Sequence, residues 1–114
     1  MAYGTKVAYE AVREVAAAAV GAAYGAVGTA TTDHTRLCRI VSTLDADVYI
    51  SIDGTTDHIR IAGGSFVLYD YSTNKIQNDG LFLAEQTTFY VKRVSGAATT
   101  GSLWIEVLYG SGGV

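Results

Sequence analysis

Chemistry on this chain would have to come from two histidines, His34 and His58, and from eleven carboxylates. Four of the carboxylates, Asp45, Asp47, Asp53 and Asp57, fall within 13 residues. A catalytic zinc takes three protein ligands, usually His-rich and partly at close spacing, and each histidine here stands alone in a polar stretch. A calcium loop needs alternating oxygen ligands closed by a Glu, a pattern the four aspartates do not make. Gly63-Gly64-Ser65 precedes a strand-like run instead of opening a helix, so it is no nucleophile elbow. Gly21, Gly25 and Gly28 lack the Gly-Lys-Ser/Thr ending of a phosphate loop. Any two of eleven carboxylates could be paired for glycoside hydrolysis, so that idea selects nothing. Cys38 is the only cysteine, which rules out an intrachain disulfide and a CxxC zinc site. Beside Leu37 and close to Ile40, it reads as a small buried hydrophobe. The chain is expected not to be an enzyme, and to use no metal or cofactor.

One pentapeptide pattern recurs. Thr32-Asp33-His34-Thr35-Arg36 is echoed by Thr56-Asp57-His58-Ile59-Arg60. The flanking residues share nothing further, so these are read as two loop-to-strand junctions, each with Asp capping the turn and Arg facing solvent. A small enzyme or metal protein built on Asp53, Asp57 and His58 is the catalytic alternative.

The elements that must carry these residues are strands. In the stretch from Val48 to Tyr71, Val48, Ile50 and Ile52 alternate with polar or aromatic residues, Asp53-Gly54 turns the chain, and Ile59 and Ile61 alternate again. Gly63-Gly64 then makes a second turn before Phe66-Val67-Leu68-Tyr69. Period-2 alternation broken every 8–12 residues by Gly or Asp marks a small antiparallel sandwich or barrel. The expected strands are Arg36–Ser42, Val48–Ile52, His58–Ile61, Ser65–Tyr71, Leu81–Leu83, Thr88–Val94 and Leu103–Tyr109. The turns between them include Leu44-Asp45-Ala46-Asp47, Asn78-Asp79-Gly80, Ser95-Gly96 and Thr99-Thr100-Gly101. In the last strand Leu103, Ile105 and Val107 face one way and Trp104, Glu106 and Leu108 the other. The fold class is therefore all-β, a single antiparallel β-sandwich of jelly-roll or immunoglobulin-like type. Residues 21–110 form the domain and 111–114 a flexible tail. Residues 1–20 read as an Ala/Gly-rich arm, a short helix or irregular chain up to about Arg13 followed by one or two strands.

Composition narrows the function class. At 114 residues the chain builds one core, and an apolar content of 49% excludes disorder. Net charge is −3 with Lys and Arg scattered, so no nucleic-acid footprint is expected. Val12 to Val27 carries Glu14 and follows Glu10 where a signal peptide would be basic, and it is too short and too weakly apolar to span a bilayer. The chain reads as soluble and unprocessed, with no membrane partner. Eight tyrosines are more than so small a sandwich can bury. Amphipathic aromatics left exposed favour protein–protein contact. The expected interface residues are Tyr3, Tyr9, Tyr24, Tyr49, Tyr69, Tyr71, Tyr90, Trp104 and Tyr109. A carbohydrate- or host-receptor-binding module using Trp104 and exposed tyrosines is the binding alternative.

A resemblance adds to this reading. The order Arg39-Ile40-Val41, Asp45-Ala46-Asp47-Val48, Ser51-Ile52-Asp53-Gly54, Asp57-His58, Ser65-Phe66-Val67-Leu68-Tyr69-Asp70, Ser72-Thr73-Asn74-Lys75, Phe89-Tyr90-Val91-Lys92 and Gly101-Ser102-Leu103-Trp104-Ile105-Glu106-Val107 is similar to a family of small virion structural proteins of tailed bacteriophages. The likeness covers roughly residues 20–110 and consists of turn and strand motifs. It departs at Ala62-Gly63-Gly64, where relatives often carry a proline-containing turn. The resemblance implies a β-sandwich particle protein, present in many copies, assembled in the host cytoplasm and located in the virion. It implies a capsid cement or decoration role, with a neck, head–tail or tail component as the alternative. Its partners would be the major capsid protein or other virion subunits, and copies of itself in a homo-oligomer. No catalytic or cofactor residue comes with the resemblance. Residues 1–20, with their small side chains, are expected to lie against a neighbouring subunit.

Overall fold

A computed structural model of the chain describes residues 6–71 and 83–111. It is all-β, two antiparallel sheets packed on one another, with no α-helix among the described residues. The strands are β1 (Lys6–Tyr9), β2 (Arg13–Ala16), β3 (Gly25–Val27), β4 (Thr35–Ser42), β5 (Val48–Ser51), β6 (Ile59–Ile61), β7 (Phe66–Asp70), β8 (Phe89–Arg93) and β9 (Ser102–Ser111). The five-stranded sheet runs β1-β9-β4-β7 with β2 also on β9, and the four-stranded sheet runs β3-β8-β5-β6. With β1 and β2 counted as one interrupted strand, each sheet has four rows. The chain then crosses between sheets in the order of a jelly roll.

Alternation builds the core. Leu103, Ile105 and Val107 of β9, Cys38 and Ile40 of β4, Val48 and Ile50 of β5, and Phe89 and Val91 of β8 are all buried between the sheets. Cys38 is fully buried, as its apolar setting predicts, and burial pushes its thiol up to about 12. The turns fall where glycine permits them. Gly101 turns into β9 with φ +89°, and a Cβ there would run into the Thr43 backbone.

The N-terminal region departs from expectation. Where a helix or irregular chain was expected up to about Arg13, Lys6–Tyr9 form β1, while the strand expected after it is present as β2; both pair with β9 of their own domain, and a single 3₁₀ turn, Ala17–Ala19, follows. Alanine's helix propensity is a weak prior, and the open edge of β9 supplies a ladder that overrides it. Between β1 and β2 the register slips by one. Tyr9 lies opposite Leu108 and Arg13 opposite Ile105, so four steps on one strand meet three on the other, a β-bulge. At the other end, β9 continues through Gly110 to Ser111, paired with Lys6, where a flexible tail was expected. Leu83 makes only an isolated bridge to Thr35, and the rest of the expected strand Leu81–Leu83 lies outside the described residues. Tyr3, Ser72-Thr73-Asn74-Lys75, the Asn78-Asp79-Gly80 turn and residues 112–114 lie outside them as well.

Candidate protein–protein interface

The bulge sets the first polar feature. It turns Arg13 inward, where its Nε donates to the Thr29 carbonyl at 2.9 Å and an Nη to the Ala30 carbonyl at 3.3 Å. Arg13 also meets Glu10 at 2.7 Å, both side chains being over nine-tenths buried. Glu10 in turn accepts from the backbone N–H of Thr32 and Asp33 and from the Thr32 hydroxyl. Gly28, at φ +71°, packs against the Arg13 stem, where a Cβ would sit 2.8 Å from Cγ. The network latches β2 to the segment before β4, and its strong donors and acceptors are satisfied within the chain.

The two recurring Asp-His junctions use the histidine, not the aspartate, as the shared device. His34 Nδ1 accepts the Glu85 N–H at 3.0 Å and His58 Nδ1 accepts the Ile52 N–H at 3.1 Å. Turn capping falls instead to Asp53, whose carboxylate accepts from the N–H groups of Thr55 and Thr56 and from the hydroxyls of Ser51 and Thr56. Those bonds, led by the Thr56 and Thr55 N–H, hold its carboxyl far below the usual range. Asp57 pairs with Lys92 at 3.2 Å and accepts the Tyr24 hydroxyl at 2.5 Å. Arg60 is exposed as expected, but Arg36 is half-buried. Among the described residues, no group of three or more His, Cys, Asp or Glu is placed to hold a metal ion.

Of the nine aromatic residues expected at an interface, the eight that are described do not come together. Tyr69, Tyr71 and Tyr109 lie on the inner face of the five-stranded sheet, beside Cys38, against the core and opposite Thr35 respectively. Tyr69 and Tyr71 stack with centroids 6.1 Å apart. Tyr24, Tyr49 and Tyr90 belong to the outer side of the four-stranded sheet, where the Lys92 ammonium sits 4.7 Å from the Tyr24 ring centroid and 5.7 Å from that of Tyr49. Burial and the bond to Asp57 push the Tyr24 hydroxyl well above its usual pKa. Only Tyr9 and Trp104 lie on the outer face of the five-stranded sheet, with Tyr3 undescribed. An aromatic platform joining Trp104 to the other tyrosines is therefore not formed.

That outer face is where the apolar surface gathers. The large apolar side chains most exposed are Tyr9 (69%), Phe66 (68%), Val7 (66%), Val12 (55%) and Leu68 (52%), and all five stand on it. Half-buried Leu37, Val41, Trp104 and Leu108 fill the centre. The charged pair at the middle is Arg39 and Glu106, neighbours across β4 and β9, joined Nε to Oε1 at 2.6 Å. A shallow open depression beside it is lined by Val12, Arg39, Val41, Trp104 and Glu106. Large apolar side chains gathered on one exposed face mark a contact surface, where singly scattered ones do not. Sequence reasoning passed over Val7, Val12, Phe66 and Leu68 in favour of tyrosines. The available signal was the unbroken apolar run Phe66-Val67-Leu68-Tyr69, since a strand with one wet face alternates and a strand covered on both faces does not.

Neither protein-family models nor curated proteins give a match to this chain.

Proposed function

We propose that this protein is a non-enzymatic structural component that works by packing against neighbouring molecules through the outer face of its five-stranded sheet. The gathering of Val7, Tyr9, Val12, Phe66 and Leu68 on one face carries the reading. Within that class the motif resemblance favours a virion protein of a tailed bacteriophage, a capsid cement or decoration protein, over a neck or tail part. A jelly roll is compatible with this by analogy of fold, being common in capsid and lectin domains. A sandwich whose buried Arg13–Glu10 pair is bonded within the chain suits a part whose task is to fill space between others.

The test is incorporation. Quantitative mass spectrometry of particles purified from the source should find the chain in many copies per particle, and the Phe66→Asp/Leu68→Asp variant should be lost from them while keeping its melting profile. Absence of the chain from particles overturns the virion reading. Full incorporation of the variant overturns the contact face, and saturable glycan binding that the variant leaves intact favours the receptor-module alternative.

A further inference from the structure

The contact face has a symmetry of its own that names an occupant. Four strand rows lie across it, and registers fix which residues share a level. Arg39 is level with Glu106 on one side and Leu68 on the other, and Val41 is level with Trp104 and Phe66. Leu37 is level with Leu108. The seam between β4 and β9 divides the face into two halves: β4 and β7 carry Arg39 and, at the Leu37 level on the outer row, Asp70, while β9 with β1 and β2 carry the carboxylates Glu106 and Glu14.

Resting on the reading of this face as a contact surface, we propose that two copies of the chain meet there, outer face to outer face, about a two-fold axis lying in the contact plane along the β4–β9 seam. Such an axis lays the β4 row of one copy on the β9 row of the other. Each Arg39 then stands over the second copy's Glu106, and the two intrachain pairs fuse into a quartet of alternating sign. The same operation sets Val41 over Trp104, Leu37 over Leu108, and Leu68 over the depression beside Val12. Across the two central rows apolar meets apolar and cation meets anion. Two apolar side chains meet a charge, Phe66 the second copy's Glu14 and Tyr9 the second copy's Asp70, and both do so near the flanks, where the crossing of twisted sheets by about 30° opens the contact to water.

A partner of unlike sequence would have to reproduce this pattern independently, whereas a second copy carries it by construction. Area is sufficient as well. Four rows about 4.8 Å apart and strands rising about 3.3 Å per residue give a footprint of roughly 500 Å² per copy. The roughly 1,000 Å² total reaches the floor for a specific interface, so a weak to moderate dimer is expected.

The experiment uses the full chain in analytical ultracentrifugation at micromolar concentrations. The wild type should sediment as a dimer of the 12.0 kDa chain. R39E and E106R should each weaken dimerisation at least about tenfold, because each places like charges face to face. Mixing the two variants should restore a one-to-one heterodimer, since the doubly acidic face then meets the doubly basic one. Arg39 is exposed and Glu106 half-buried, and thermal melts of each variant check that the fold is kept. A monomeric wild type overturns the proposal, as does a mixture that stays monomeric or single variants that dimerise as tightly as wild type. A monomeric wild type that still enters particles in a face-dependent way would leave the contact-face reading standing and remove only the second copy as its occupant.

Discussion

At the scale of single residues, the strongest constraint is the pair formed by Arg13 and Glu10. Burial of Glu10 acts to raise its pKa, but the bonds from Arg13, Thr32 and Asp33 outweigh it and leave the carboxyl below its ordinary value. Replacing Arg13 with Met would strand a buried carboxylate and remove the donor to three carbonyls, those of Ala11, Thr29 and Ala30, at a cost of about 3–5 kcal/mol. Urea unfolding should register that loss, and Arg13→Met/Glu10→Gln should recover part of it. The exposed aspartates set the response to acid. The Thr99 hydroxyl and N–H lower the Asp45 pKa to about 2, and Asp47, Asp53 and Asp57 are lowered as well. A carboxyl lowered on folding contributes stability that is complete above its unfolded pKa and is lost as pH falls through the folded one. The melting temperature is therefore expected to hold from neutral pH to about 4 and to fall between there and about 2. Asp45→Asn should shallow that fall, as calorimetry across pH would show; an unchanged slope would remove Asp45 from the account.

At the scale of elements, β9 organises the larger sheet. It pairs with β1 and β2 along one edge and with β4 along the other. Removing residues 1–16 would bare one whole edge of a long, apolar strand, which is a template for aggregation. The truncated chain is expected to melt at least about 10 °C lower and to self-associate on size exclusion. A dispensable arm would leave both readouts unchanged. The same element shows why legibility in the sequence was uneven. β4 to β9 announced themselves because apolar residues recur at period 2, or in β7 run unbroken, between turns such as those at Gly54, Gly64 and Gly101. β1 and β2 did not, because Val-Ala-Tyr and Glu-Val-Ala suit helix or strand equally, and the choice was made by a partner some hundred residues away. The face itself was half legible. Trp104 and Glu106 were placed together on one side of β9 from its own alternation, which also groups Tyr109 with Val107, but the inward phase of Tyr69 and Tyr71 depended on cross-strand register, which a single strand does not reveal.

At the scale of the whole molecule, the jelly roll separates two outer surfaces of different character. One side presents tyrosines tied down by Lys92 and Asp57, while the other presents aliphatic and aromatic groups around the Arg39–Glu106 pair. That asymmetry is what a part with a buried side and a wet side requires. The topology also has a consequence for how the chain is made. Of the described strands, β9 leaves the ribosome last, yet β1, β2 and β4 all zip onto it. Until it emerges, those earlier strands carry unsatisfied amide edges through most of translation. Biogenesis should consequently be a late, concerted event, exposed to chaperone capture and sensitive to crowding by sibling nascent chains.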